Sequence, residues 1–326
     1  MSQIPIGAPY LLQFNLLTDC IFQCPYCYLD DIRSGGNKLI SAERYEKFMI
    51  SMNKYYLEYG LTFQVNLTGG DIWLHSEIER ILKFTLDLPY VSNIGLMLNN
   101  LWHKQSKEWL LLTMKKISLV QLNIDAMVNR QDDLDFLYEN NIRTSIKIMI
   151  SNDKKYFNHQ IEILKILKKS NSNLLVAIDR LCPTSFSQLK NQPSREEMKS
   201  LINIVINESG GNIITDDPFV KAMFGREKDN DYEVKGCSIP NGAVTIYPNG
   251  EIKLCARLPK FNTGYDIESF DLEKYIAKYY SMMKKHKKGC KDCKLFSICD
   301  GGCPATSFIE SKEKISVDYN CVKYGK

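Results

Sequence analysis

Apolar residues fall in short runs along the first two thirds of the chain, and longer amphipathic stretches separate these runs. The runs are β-rich, which predicts strands, and they read YLLQFNLL, LTFQVNL, SNIGLML, ISLVQLNI, NIRTSIKIMI and NLLVAI. Helical spacing between and after them predicts helices at 41–59, 75–87, 104–116, 131–140, 156–169 and 194–208. Six strand–helix units in succession predict an α/β fold with a parallel sheet, because parallel neighbours need a crossover connection.

After about residue 210 the pattern changes to loops that contain glycine, proline and cysteine. The segment GAVTIYPNGEIKL predicts a hairpin with Asn249-Gly250 at its turn. Seven of the eleven cysteines lie in this last third of the chain. We therefore expect two domains, residues 1–210 and residues 211–326.

Composition narrows the class of protein. The 326 residues are 44% hydrophobic and 25% charged, with a formal net charge of only +4, which does not favour nucleic-acid binding. No signal peptide and no apolar run of membrane-spanning length is present, so we expect a cytoplasmic protein without membrane contact. In a reducing compartment, eleven cysteines indicate metal binding or catalysis rather than a disulfide framework.

Three cysteines share one loop directly after the first predicted strand. Cys20, Cys24 and Cys27 are spaced closely enough to bind one inorganic centre. Three thiolates leave one iron of a [4Fe-4S] cube without a protein ligand, and another molecule can bind that iron. A structural zinc site is the alternative, but zinc favours a fourth cysteine or histidine, and residues 1–74 offer none.

The segment CIFQCPYC resembles the CxxxCxxC signature of the radical S-adenosylmethionine superfamily, with Tyr26 as the aromatic residue before the last cysteine. LTGGD at 67–71 is similar to the family's GGE motif, which receives the methionine amino group, and MLNN at 97–100 is similar to its TNG motif. LNIDA at 122–126 resembles the SxDG motif of the fourth strand. The resemblance runs from residue 10 to about 180 and implies a partial (β/α)6 parallel barrel.

The resemblance also implies which residues contact S-adenosylmethionine. They are Tyr26, Gly69, Gly70, Asp71, Asn99, Asn123 and Asp125, with the glycines and Asp71 at the amino acid end. Asp71 stands where the family has glutamate, which keeps the carboxylate and shortens its reach. Asn123 and Ala126 replace the family's serine and glycine near the ribose.

The later cysteines resemble the seven-cysteine SPASM extension, whose family members carry two auxiliary [4Fe-4S] clusters. By position, the outer cluster would be held by Cys290, Cys293, Cys299 and Cys321. The inner cluster would be held by Cys237, Cys255 and Cys303, which leaves it one ligand short. A zinc ribbon is the alternative for these paired cysteines. The GGC segment at 301–303 favours clusters, since glycines let backbone amides approach the sulfides.

Cys182 follows the sixth predicted strand, at the end where parallel barrels keep their chemistry. It is a candidate catalytic thiol that donates a hydrogen atom to a substrate radical. A fourth ligand for the inner cluster and a small buried apolar side chain are the alternatives. Arg180 beside it is a candidate for holding a substrate carboxylate, or else forms a salt bridge elsewhere.

Family members with this architecture mostly act on peptides, so the resemblance implies a radical enzyme that modifies a ribosomally made peptide. The products of this class are thioether or carbon–carbon crosslinks, epimerised residues or oxidised residues. We expect S-adenosylmethionine, three [4Fe-4S] clusters and an external electron donor such as flavodoxin or ferredoxin. The 19 residues before Cys20 are too few for the family's leader-binding domain, so we expect the barrel, the extension or a separate protein to bind a leader.

Three alternatives stay open. The first is radical oxidation or rearrangement of a small molecule, and the second is formylglycine formation in sulfatases. The sulfatase-maturing members carry a catalytic aspartate just after the cysteine that corresponds to Cys255, where this chain has Ala256. The third is a non-catalytic iron–sulfur or zinc protein.

Overall fold

The structure is a computed structural model. It describes residues 10–24, 26–33, 35–36, 38–99, 101, 104–113, 117–182, 192–224, 237, 242–258, 261–286, 290, 292–310, 318 and 321. The chain divides into two compact units. The first unit comprises Met1–Thr144 and Asn241–Ala277, and the second comprises Ser145–Pro240 and Lys278–Lys326. The functional division near residue 210 stays a prediction, because compact units describe packing and not function.

Strands and helices alternate along the described residues as the pattern predicts. The strands are β1 Leu11–Asn15, β2 Phe63–Thr68, β3 Val91–Leu98, β4 Ile117–Asn123, β5 Thr144–Ile150, β6 Leu175–Arg180, β7 Ile213–Ile214, β8 Ala243–Ile246, β9 Glu251–Lys253 and β10 Tyr265–Asp266. The helices are α1 Asp30–Arg33, α2 Ala42–Tyr59, α3 Ile78–Asp87, α4 Lys104–Thr113, α5 Gln131–Glu139, α6 Lys154–Ser170, α7 Arg195–Ser209, α8 Pro218–Phe224, α9 Leu272–His286, α10 Phe296–Cys299 and α11 Pro304–Glu310. Short 3-10 turns cover Ile72–Leu74 and Ile124–Ala126.

Parallel pairing dominates both units. In the first unit, β1 pairs in parallel with β2 and β8, β2 with β3, and β3 with β4. In the second unit, β6 pairs in parallel with β5 and β7. The predicted hairpin is confirmed, since β8 and β9 pair antiparallel around Asn249 and Gly250. Gly250 takes φ +91, which a side-chain-bearing residue rarely adopts.

Local signals set the ends of the longer helices. Ser41 caps α2 by accepting from the Arg44 backbone N–H, and Gly60 ends that helix in the left-handed conformation. Ser194 and Glu197 form a capping box at the start of α7. Within the described part of the chain, no helix combines the length and apolar character that a membrane span requires.

The parallel strands of the first unit bring the sequence motifs to one edge of the sheet. The cysteine loop follows β1, the GGD motif follows β2, Asn99 follows β3, and Asn123 ends β4. Because carboxyl ends of parallel strands share an edge, the topology gathers these motifs. The strands beneath are apolar, and Leu12 is completely buried.

Candidate functional site

Cys20 is held at the carboxyl edge of the first unit by donors from two segments. Its sulfur accepts the Phe22 backbone N–H at 3.4 Å and the Asn99 side-chain amide at 3.4 Å. The same Asn99 nitrogen lies 3.3 Å from the Gly70 carbonyl oxygen, to which it also donates. Asn99 therefore joins the cysteine loop to the GGD motif.

Cys24 has its own donor, from the end of β4. The Asn123 side-chain amide donates to the Cys24 sulfur at 3.7 Å. The Tyr26 hydroxyl lies 2.7 Å from Asp125 Oδ2, to which it donates, and 3.1 Å from Asn123 Oδ1. Tyr26, Asn123 and Asp125, which the motifs predict separately, thus form one hydrogen-bonded group beside Cys24.

Cys27 accepts from an arginine that the sequence analysis does not single out. Arg33 Nη2 lies 3.8 Å from the Cys27 sulfur, and Arg33 Nε donates to the Thr18 carbonyl at 3.2 Å. The Cys27 backbone N–H donates to the Cys24 carbonyl at 3.1 Å, which folds the loop back on itself. All three sulfurs of the loop therefore accept an N–H donor, and such hydrogen bonds raise the reduction potential of an iron–sulfur cluster.

Burial disfavours the thiolate forms of Cys20 and Cys24. Burial, the Asp125 carboxylate and the neighbouring Cys27 raise the pKa of Cys24 to about 11. Burial also raises the pKa of Cys20, although the Phe22 N–H opposes it. Cys20 and Cys24 must therefore release protons when they become iron ligands. The donor set, three thiols with N–H donors, fits an iron–sulfur cluster.

The GGD motif packs backbone to backbone against the residues that precede the cysteine loop. The Gly70 N–H donates to the Leu17 carbonyl at 2.8 Å, and the Asp71 N–H donates to the Asp19 carbonyl at 2.7 Å. A Cβ on Gly70 would collide with the Asp19 carbonyl oxygen. Gly69 has φ +141, and a Cβ there would lie 2.8 Å from the Leu17 carbonyl oxygen. Both glycines are therefore required for this close approach.

Replacing Gly70 by alanine is expected to displace the Thr18–Cys20 backbone and to weaken metal retention by the cysteine loop. The overpacking costs about 1–3 kcal/mol, which thermal unfolding of the metal-free protein measures beside iron content. Gly35→Ala is the matched control, because its Cβ would make ordinary contact, 3.5 Å from the Ile32 carbonyl oxygen. Equal behaviour of the two variants would contradict this role of Gly70.

Asp71 is the buried carboxylate of the motif, with only 1% of its surface exposed. Its Oδ1 accepts the Trp73 backbone N–H at 3.2 Å and so caps the 3-10 turn Ile72–Leu74. The Asp71 charge also contributes to the raised pKa of Cys20, which places the carboxylate near that thiol. Asp71 is therefore both a cap and a negative charge beside the cysteine loop.

A second cysteine group lies in the second unit. One cavity there is lined by all four cysteines predicted for the outer cluster, together with Gly301, Gly302 and Asp318. The lining cysteines are Cys290, Cys293, Cys299 and Cys321. Burial raises the pKa of Cys299 to about 12, so this thiol also requires a cation to ionise. The donor set fits a four-cysteine cluster.

Asp318 organises the backbone around this cavity. Its Oδ2 accepts the Cys303 N–H at 2.7 Å, and its carbonyl accepts the Cys321 N–H at 2.9 Å. A Cβ on Gly302 would lie 2.6 Å from the Asp318 Cβ, so glycine at this position lets Asp318 approach. The spacing of the cysteines gives no signal for Asp318.

The sequence leaves two alternatives for Arg180, a substrate carboxylate or a salt bridge. The structure shows salt bridges, because the guanidinium forms buried ion pairs. Its guanidinium donates to both Asp318 oxygens, at 2.7 and 2.8 Å, and to Asp217 Oδ2 at 3.1 Å. It also lies over the Phe219 ring, 5.1 Å from the ring centroid. The side chain is completely buried, and it ties the end of β6 to the Asp318 carboxylate and thereby to the residue that accepts the Cys303 and Cys321 N–H groups.

The remaining candidate cysteines are distributed over both units. Cys255, in the first unit, accepts the Arg257 N–H at 3.3 Å, while Cys237 and Cys303 belong to the second unit. Cys182 is 7% exposed and its sulfur lies 3.8 Å from the Cys303 sulfur. No disulfide forms among the eleven cysteines. Asn100 of the MLNN motif lies outside the described residues.

Two further observations bear on the alternatives. Ala256 is buried, and its carbonyl accepts the Tyr247 hydroxyl at 2.7 Å, so the backbone there has a structural partner and the side chain has no carboxylate. Among the described residues, no three His, Cys, Asp or Glu side chains converge as ligands of a single metal ion. The cysteines of a [4Fe-4S] cluster bind separate irons of one centre, so they do not converge on a single ion.

No family model and no curated protein matches the chain. Solved structures do match. Streptococcus suis SuiB bound to S-adenosylmethionine gives a TM-score of 0.72 at 17% identity, covering 97% of this chain and 78% of SuiB. SuiB bound to the precursor peptide SuiA gives a TM-score of 0.70 at 18% identity, covering 97% of this chain and 76% of SuiB. Native anSMEcpe with bound AdoMet and the Cp18Cys peptide gives a TM-score of 0.67 at 13% identity, covering 95% of this chain and 93% of anSMEcpe. The predicted α/β fold class is confirmed.

Proposed function

We propose that this chain, which has the fold of radical S-adenosylmethionine enzymes, abstracts hydrogen from an unactivated carbon of a ribosomally made peptide. The observation that carries the proposal is the cysteine loop. Cys20, Cys24 and Cys27 each accept an N–H donor at the sheet edge where the GGD motif packs. A structural zinc site would not account for that motif.

Each part of the site has a separate task. Cys20, Cys24 and Cys27 would hold three irons of a [4Fe-4S] cluster. Held there, the cluster would supply the electron for reductive cleavage of S-adenosylmethionine, the chemistry that generates a 5′-deoxyadenosyl radical for hydrogen abstraction from the substrate. Asp71 offers a negative charge to the methionine ammonium group, and the side-chain-free backbone at Gly69 and Gly70 gives the ligand access to main-chain groups.

Asp71→Asn is expected to weaken S-adenosylmethionine binding roughly 10- to 100-fold, because a hydrogen bond to a charged group contributes about 1.5–3 kcal/mol. Asparagine keeps an oxygen for the Trp73 N–H and removes only the charge. Equilibrium dialysis of reconstituted protein measures the dissociation constant. Asp71→Glu, which restores the charge, should recover part of the affinity; an unchanged constant in Asp71→Asn would contradict the assignment.

A peptide substrate is supported by two of the similar structures, SuiB with SuiA and anSMEcpe with Cp18Cys. Formylglycine formation receives less support, because buried Ala256 provides no carboxylate where the sulfatase-maturing members have aspartate. A crosslink, thioether, epimerisation or oxidation at the peptide remains open as the reaction type. We propose the reducing cytoplasm as the location, where the eleven cysteines stay available for iron.

The test uses protein reconstituted without oxygen, with S-adenosylmethionine, dithionite and synthetic peptides encoded by short reading frames beside the gene. We expect one peptide to increase 5′-deoxyadenosine formation and to change in mass. If the amount of 5′-deoxyadenosine is the same with and without every peptide, the peptide substrate is contradicted and the small-molecule alternative is favoured.

Two further experiments test the proposed partners. Replacing dithionite by reduced flavodoxin or ferredoxin tests the electron donor. Adding candidate small binding proteins tests a separate leader-binding partner.

A further inference from the structure

We propose that Cys182 is a ligand of the metal centre that contains Cys303, and not a catalytic thiol. This inference rests on the proposed function only in taking the metal to be iron. Cys182 comes from the end of β6, while Cys303 lies 121 residues later, and their sulfurs are 3.8 Å apart. Both residues are buried within the second unit, at 7% and 5% exposure.

The distance between the two sulfurs suits metal binding. Two thiolates on one tetrahedral ion with bonds of about 2.3 Å lie about 3.8 Å apart. A disulfide requires sulfurs about 2.0 Å apart. The thiolates of a [4Fe-4S] cluster bind different irons and lie farther apart than this, so binding of both cysteines to one cluster requires rotation of at least one side chain about its Cα–Cβ bond.

Rigid backbone delivers both sulfurs to this position. The Leu181 N–H donates to the Ile150 carbonyl at 2.9 Å, and Gln192 donates to the Leu181 carbonyl at 2.8 Å, which fixes the residue before Cys182. The Cys303 N–H donates to Asp318, whose carboxylate is held by Arg180. Metal ligands on such fixed segments bind without further ordering.

A function follows for the inner auxiliary centre. By resemblance that centre has three cysteines, of which Cys303 is one, and Cys182 raises the number to four. A centre with four protein ligands has no open iron for a substrate. It would stabilise the fold or transfer electrons, and the substrate would be bound by other groups.

The test measures metal content, which does not depend on turnover. Cys182→Ala, Cys303→Ala and the double variant are reconstituted in parallel with the unmodified chain, and iron, sulfide and the electron paramagnetic resonance spectrum of each are recorded. We expect about twelve irons per unmodified chain for three cubes, and about four fewer in each single variant. The double variant should lose no more than either single variant, since all three lack the same centre.

Two controls separate this loss from misfolding. The remaining eight or so irons and an unchanged far-ultraviolet circular dichroism spectrum show that the other clusters and the fold persist. Cys182→Ser, whose oxygen is a poorer ligand, should retain the centre in part, with an altered spectrum.

Full iron and an unchanged spectrum in Cys182→Ala would overturn the assignment. If this variant kept its iron and lost product, Cys182 would be a hydrogen donor; if it kept both, Cys182 would be a buried apolar side chain. If the unmodified chain formed no 5′-deoxyadenosine and Cys182→Ala still lost iron, the proposed function would fail and the ligand assignment would stand.

Discussion

Cys24→Ala is expected to lose the cluster of the first unit and to reduce 5′-deoxyadenosine formation to background. With Cys24 removed, two thiolates remain for a cube that already has an open iron. Cys24 is also the cysteine next to the Tyr26, Asn123 and Asp125 group, so its loss separates the cluster from β4. Iron and sulfide analysis should show about four fewer irons per chain, with the auxiliary centres retained.

Asn123→Ala is the graded comparison for this variant. It keeps all three cysteines and removes the amide that donates to the Cys24 sulfur at 3.7 Å. We expect full iron content and a more negative reduction potential, because one N–H donor to the cluster is missing. Full iron content and normal product in Cys24→Ala would contradict the ligand assignment.

Arg180→Met is expected to lower the free energy of unfolding by about 3–5 kcal/mol, because removing one partner of a buried ion pair leaves the other charge buried without compensation. Asp217 and Asp318 both face this guanidinium. Asp318 also holds the Cys303 and Cys321 backbone, so the variant should lose iron from the auxiliary centres as well. The urea midpoint of the metal-free protein and the iron content of the reconstituted protein check the two effects.

Lys165→Met is the matched control for Arg180→Met. Lys165 pairs with Glu208 at 3.3 Å on the surface of the same unit, and an exposed pair contributes about 0–1 kcal/mol. Arg180→Lys should fall between the two, since a single ammonium group cannot reproduce the two parallel hydrogen bonds to Asp318. Equal urea midpoints for Arg180→Met and Lys165→Met would show that the buried pairs do not stabilise the unit.

The alternation of strands and helices could be predicted from the sequence because each element carries its own period. The stretch predicted at 194–208 is helix Arg195–Ser209, and the run NLLVAI contains most of β6, Leu175–Arg180. The edge that gathers the motifs could be predicted too, because consecutive parallel strands end on the same side. These features depend on local pattern and topology alone.

Contacts between distant residues could not be predicted. Arg180 and Asp318 are 138 residues apart, and nothing in either segment indicates a partner. Arg33 is near Cys27 in sequence, but an arginine in a short helix is usually a surface residue, and only the folded loop brings it to the sulfur. Asn99 and Asn123, predicted near the nucleoside, donate to Cys20 and Cys24 in the structure; their contact with the nucleoside stays a prediction.

The most direct test of the central claim is the amount of 5′-deoxyadenosine and methionine formed by the reconstituted chain with S-adenosylmethionine and dithionite. We expect both products in equal amounts, and their formation should require reductant and iron. If a preparation with its full iron content formed neither product, the chain would be an iron–sulfur protein without radical chemistry.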